Sequence, residues 1–154
     1  MNLLHISSAV VWVDFLTIAF SKMFNFGKSI DVWYKQFGIV AVISDCLVII
    51  LGILIAQLFF PKYPLLPTAI IIQLLHDVLF YLFVIIPIPV GHNAMIDVFK
   101  SYSAENGWKI LLADSIMIGS TVVLADSLKY VSPSYISFIG LLGVYALTYI
   151  IYTK

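Results

Sequence analysis

The sequence predicts an all-α fold: a polytopic membrane helical bundle of about five transmembrane helices plus a short interfacial helix, in a single domain over residues 1–154. Three observations lead there. The chain is 62% hydrophobic and 10% charged, whereas soluble domains are about 45–50% apolar and about 25% charged. Its apolar residues fall into five runs, each near the roughly 17–25 residues that cross a bilayer. Short connectors rich in Pro, Gly, Lys and aromatic residues separate the runs.

The first expected span covers 3–20. It is interrupted by His5, Ser7, Asp14 and Thr17, and Ser7, Asp14, Thr17 and Ser21 recur near one helical face. An interfacial helix would carry more charge on that face, so a span is favoured. Residues Lys22–Lys35, including Asn25, read as a polar connector, a loop with at most one helical turn. Trp33 and Tyr34 beside Lys35 read as headgroup-level anchors. The second span, 37–60, holds Asp45 near its middle. Gly52 and Ala56 share that face, in a small-xxx-small spacing that permits close helix approach.

The third span, 68–86, is TAIIIQLLHDVLFYLFVII. Gln73, His76 and Asp77 are three and four residues apart and so share a face. Placing an amide, an imidazole and a carboxylate against lipid is costly, so they should meet protein or water. Pro67 suits the start of this helix, and Pro87 and Pro89 its end. Met95, Ile96, Phe99 and Tyr102 form the apolar stripe of an interfacial helix over 94–105, with Asn93 to cap its start and Gly107 its end. The fourth span, 110–128, contains Asp114, Asp126 and a small edge at Ser115 and Gly119. The fifth, 134–152, offers Gly140 and Gly143 for close packing and ends in Tyr149, Tyr152 and Lys154. Short loops predict that consecutive spans are antiparallel neighbours.

Depth provides the sharpest functional expectation. Asp14, Asp45, His76 and Asp77 lie near the midpoints of their spans. One intramembrane polar network of Asp14, Asp45, Gln73, His76, Asp77 and Asp114 is therefore expected. Structural, conducting and metal-binding roles all remain open for it. No HxxxH or HExxH spacing, nucleophile motif, glycine-rich phosphate loop or selectivity-filter motif is present. No catalytic residue, metal site or cofactor is expected. Cys46, the lone cysteine, reads as a small core residue. All eight basic residues are lysines and the net charge is zero, so no nucleic-acid surface is expected. The N-terminal stretch has neither a leading lysine nor a small-residue cleavage site, and no cleavable signal is expected. Lys22, Lys28, Lys35, Lys100, Lys109 and Lys154 fall on one side of a five-span chain, Lys62 and Lys129 on the other. The positive-inside rule then predicts an external N-terminus and a cytoplasmic C-terminus.

The stretch HDVLFYLFVIIPIPVGHNAMIDVFKSYSAENGWKILLADSIMIGS, with its His76–Asp77 pair, Pro87–Asn93 turn, Asp97, Tyr102, Glu105 and Asp114–Ser115, resembles small multi-pass membrane proteins of large icosahedral DNA viruses with an internal membrane. The resemblance implies a virion-membrane or host-membrane protein linking membrane and capsid. The expected function is that of a structural integral membrane protein, a virion-membrane or membrane-associated minor capsid component. Its partners would be lipid and neighbouring proteins met through Lys22–Lys35 and Pro87–Lys109. The alternative is a small proton or cation channel or transporter using the Asp/His network.

Overall fold

The computed structural model describes residues 1–24 and 27–153; Asn25 of the first connector and Lys154 of the exit girdle lie outside the described residues. The described residues form an all-α bundle. Its helices are α1 (Leu3–Phe24), α2 (Lys28–Phe37), α3 (Ile39–Phe59), α4 (Leu65–Phe80), α5 (Ala94–Asn106), α6 (Lys109–Ser127) and α7 (Pro133–Ile150). α4 continues through a π-helical turn, Tyr81–Ile85, and α6 through a 3₁₀ turn, Leu128–Tyr130. Five helices, α1, α3, α4 with its π turn, α6 with its 3₁₀ turn, and α7, are long and apolar enough to cross a membrane. The chain is an integral membrane protein. Exposed Leu16, Ile43, Leu47, Leu51, Leu75, Leu79 and Leu141 supply its lipid-facing surface.

The polar-interrupted first run is the hub. α1 packs against α3, α6 and α7, and Ile6, Ala9, Val10, Asp14 and Ile18 are buried along it. It also runs one turn beyond the expected 3–20. α7 lies chiefly against α1 rather than against α6, its neighbour in sequence, which corrects the expectation of sequential pairing. The reason is local. Gly140 and Gly143 follow Ile136 and Ile139 by one helical turn, and without side chains they uncover those carbonyls. Ser8 Oγ donates to the Ile136 carbonyl (3.1 Å) and Trp12 Nε1 to that of Ile139 (3.0 Å). A Cβ on Gly143 would lie 2.7 Å from Val11 Cγ1, and one on Gly140 2.5 Å from Ser8 Oγ. Gly52 abuts Ile118 and Gln73, Ala56 is buried in the core, and Gly119 meets Ile70 and Leu66. Ser115 turns its hydroxyl to the Leu111 carbonyl of its own helix (2.6 Å).

The first connector departs most from expectation. It contains a ten-residue helix, α2, rather than a loop with at most one turn. Ile30, Trp33, Tyr34 and Phe37 recur at helical spacing, and all four belong to or pack against the core. Trp33 and Tyr34 are buried, so they turn inward instead of anchoring at the headgroups. Gly38 joins α2 to α3 at φ 52°, a backbone region costly for other residues, with the Tyr152 hydroxyl 3.1 Å from where a Cβ would stand.

α5 packs against α2, α6 and the π turn of α4. Asn93 caps α5 as expected, accepting from the backbone N–H groups of Met95 (2.9 Å) and Ile96 (3.2 Å). Pro89 has no N–H to give the Ile85 carbonyl one turn earlier. The Lys100 ammonium from α5 donates to that carbonyl and to that of Ile86. With five spans, α2, α5 and the end of α7 share one membrane face. Lys22 Nζ reaching the Thr153 carbonyl agrees with this.

Candidate functional site

Four aspartates from four helices gather below the α2–α5 layer. Measured along its own helix from that face, each sits deeper than the last: Asp114 about 8 Å, Asp45 about 9 Å, Asp77 about 12 Å and Asp14 about 15 Å, at about 1.5 Å per residue. The expected common layer at the midplane is therefore corrected for Asp45, which lies nearer the α2–α5 face, as Asp114 does. Asp14 is at mid-span and Asp77 within about 3 Å of it, so the group forms a stepped seam. Asp45 is within electrostatic reach of Asp14, and Asp114 of both Asp77 and Asp45.

The expected six residues do not share one hydrogen-bonded network. Three smaller groups replace it. In the first, Asp45 Oδ2 accepts from Trp33 Nε1 (3.2 Å) and the Tyr34 hydroxyl (3.0 Å), fastening α2 onto α3. In the second, the Cys46 thiol donates to Asp14 Oδ2 (3.9 Å) between α3 and α1. In the third, Gln73 Nε2 donates to Asp77 Oδ1 (2.8 Å), which His76 Nδ1 approaches at 3.1 Å. No side-chain hydrogen bond joins the three groups among the described residues. Asp114 enters the seam from α6 through its charge, near Asp77 and Asp45.

His76 is the clearest misplacement. Its side chain is 46% exposed, against 12% for Asp77, and it stacks on Phe80 at 5.7 Å. It rims the seam instead of entering it. Adjacent positions on a helix diverge by about 100°, so Gln73 and Asp77 turn inward while His76 stays at the edge. Phe80 continues this rim to Phe99, which meets Trp33 at 4.8 Å.

The seam holds unfilled acceptor capacity. Among the described residues, Asp14 Oδ1, Gln73 Oε1 and Asp77 Oδ2 are buried without a hydrogen-bond partner. Asp14 is 0% exposed and Gln73 3%. No group of three or more His, Cys, Asp or Glu residues with metal-holding geometry occurs among the described residues.

Above the seam, two phenols descend from the covering layer. Burial first, then the charges of Asp45 and Asp14, its bond to Asp45 and the nearby Tyr102 hold the Tyr34 phenol well above its ordinary range. Burial likewise raises Tyr102, aided by Asp114, Asp45 and Glu105. At the outer surface, the Glu105 carboxylate accepts from the backbone N–H groups of Lys28 and Ser29, both at 2.9 Å. The Ser29 backbone bond, then the Ser29 side chain and the Lys28 backbone hold Glu105 below the usual carboxylate range. An acid on α5 thus caps α2, at a helix start where negative charge is favourable.

Sequence reasoning missed the participation of Trp33, Tyr34, Cys46, Tyr102, Glu105 and Lys100 in these contacts. The stripe Ile30–Trp33–Tyr34–Phe37 was a legible signal for α2. The Glu105 cap joins residues 76 and 77 positions apart and has no local signature. No protein-family model, curated protein or solved structure matches this chain.

Proposed function

We propose that this protein is a structural component of a membrane-bound assembly, holding the α2–α5 layer at a fixed height and orientation for neighbouring proteins. The observation that carries this reading is the Glu105 cap. It ties two amphipathic helices, from connectors widely separated in sequence, into one layer on one membrane face. Lys100 fastens the same layer to the end of α4, and Asp45 fastens it to α3. Lys28, Lys35 and Lys109 are exposed on or beside it. The resemblance in the His76–Ser120 region supports an internal virion membrane as the setting and a capsid protein as the neighbour.

The test is cross-linking mass spectrometry on intact membranes and virions from cells making the protein, with a lysine-reactive reagent. The expected result is reproducible links from Lys28, Lys35, Lys100 or Lys109 to capsid protein. Glu105→Ala should lose those links while the five spans stay inserted. Links confined to this chain, with the protein absent from purified virions, would contradict the proposal.

A further inference from the structure

We propose that Asp14, Asp45, Asp77 and Asp114 form a one-sided cation-binding seam, entered from the α2–α5 face and closed toward the opposite face, that takes up a proton or a small monovalent cation. This goes beyond the structural role and does not depend on it.

The first argument is what the buried groups lack. Among the described residues, Asp14 Oδ1, Gln73 Oε1 and Asp77 Oδ2 are acceptor oxygens without donors. A carboxylate oxygen left so is completed by a proton, a metal ion or water, and an amide oxygen by a metal ion or water. Asp14 and Gln73 are enclosed by protein, and Gln73 is held against Asp77 by its amide N–H, its oxygen facing Gly52 of α3. The unfilled oxygens of Asp14 and Asp77 thus belong to the seam itself, and that of Gln73 lies beside Asp77 on the side of Gly52.

The second argument is charge. Asp14 on α1 is within electrostatic reach of Asp45 on α3, and Asp114 on α6 is within reach of Asp45 and of Asp77 on α4. The other titratable groups facing them are the Cys46 thiol on α3, the Tyr34 phenol on α2, the Tyr102 phenol on α5 with Glu105 beyond it, and His76 at the rim. The chain has no arginine. Lys100 is engaged with backbone carbonyls, Lys22 with the Thr153 carbonyl, and Lys129 pairs with Asp126 near the other face. Adjacent like charges cannot all ionise in an apolar interior without a compensating cation. Among the described residues no group of three or more His, Cys, Asp or Glu could hold a metal ion, so the charge that relieves this repulsion is a proton, or a monovalent cation held by fewer carboxylates.

The third argument is sidedness. The carboxylates step from near the α2–α5 face to mid-span and stop there. In the other half, Ser8 bonds to the Ile136 carbonyl, Gln57 to the Met1 carbonyl, Thr68 to the Pro64 carbonyl and Thr121 to the Met117 carbonyl. Those groups are closed onto backbone, and the deepest open acceptor is the Gln73 oxygen, about 18 Å from the α2–α5 face along α4; no carboxylate of the seam lies beyond it.

Dicyclohexylcarbodiimide, an apolar reagent that modifies protonated carboxyls inside membranes, tests the proposal. The full chain in liposomes would be labelled at stepped pH, and at fixed pH with sodium or choline chloride, with adducts located by mass spectrometry. Asp126, exposed near the opposite face, is the internal control. The expected result is an adduct at one or more seam aspartates whose rate falls about tenfold per pH unit above its midpoint, following the protonated fraction. Slowing by sodium but not choline at fixed pH identifies an alkali-cation site, and sensitivity to pH alone identifies a proton site. Asp77→Asn and Asp114→Asn, which preserve side-chain size, should each remove the adduct at their own position. Absence of seam adducts, or adduct rates that follow Asp126 in every arm, would overturn the proposal.

Discussion

The two halves of the bundle differ in their acids, while hydroxyls bond to backbone carbonyls in both, as Thr17 and Ser115 do beneath α2 and α5. In the half away from α2 and α5, hydroxyl, amide and indole groups are spent on backbone carbonyls, as at Ser8, Trp12, Gln57 and Thr121. In the half beneath α2 and α5, carboxylates meet side chains from other helices and leave oxygens unfilled. One half is closed packing and the other retains chemical capacity. A membrane interior tolerates polar groups at little cost when each has a partner. The difference thus points to the covered face as the side where the protein acts.

The largest expected effect lies in the closed half. Gly143→Ala would place a Cβ 2.7 Å from Val11 Cγ1 and 3.1 Å from Trp12 Nε1. Val11 is β-branched and turns little, so α7 must shift away from α1. The expected loss is about 1–3 kcal/mol, typical of overpacking, read from reversible unfolding in mixed detergent. An unchanged unfolding midpoint would break the contrast between a tightly fitted half and a polar one.

Asp45→Ala probes the other half. It leaves the Trp33 N–H and Tyr34 hydroxyl without their acceptor, a change expected to cost about 1–3 kcal/mol for stranded buried groups, tempered by the about 0.6 kcal/mol average for interhelical bonds in membranes. Its signature is local: Trp33 fluorescence and α2 hydrogen exchange should change before the α1–α7 contact does. Simultaneous loosening of both halves would show that they are not separable.

Glu105 sharpens the comparison through pH. Its folded pKa is depressed, so its contribution to the α2–α5 contact is present above the unfolded value near 4.3 and is lost as pH falls through the folded value. Protection of the Lys28 and Ser29 amides, relative to their intrinsic exchange rates at each pH, should fall below about pH 4.3, more than elsewhere in the chain. Glu105→Gln should flatten that dependence. The smallest effect is expected at Gly52→Ala. Its Cβ would meet the terminal methyl of buried Ile118 at 3.1 Å, a tight contact that offsets a helix-propensity gain of about 0.5–1 kcal/mol, so thermal stability should move little.

The spans were legible because bilayer thickness acts on sequence directly, as a length and a composition. The Asn93 cap was legible because a cap acts within three residues, and glycine spacing marked the surface on which α7 packs. The centrality of α1 was not legible. Ser8, Trp12 and Asp14 make the contacts that bind other helices, but of these only Asp14 stands out in sequence, and there as an interruption of the apolar run. The seam was half legible. Span position placed the aspartates inside the membrane, but helix offset and rotation, set by packing between distant segments, decided that they step in depth and that His76 remains at the edge.

The central claim is that the acidic half ends at mid-membrane. It is tested most directly by proton flux into liposomes containing the purified chain, driven by a pH gradient and read with an enclosed pH dye. The account predicts flux no greater than in protein-free liposomes, for wild type and Asp77→Asn alike. Robust flux in the wild type that Asp77→Asn abolishes would contradict it, because it would require a polar path through the half that Ser8, Gln57 and Thr121 close.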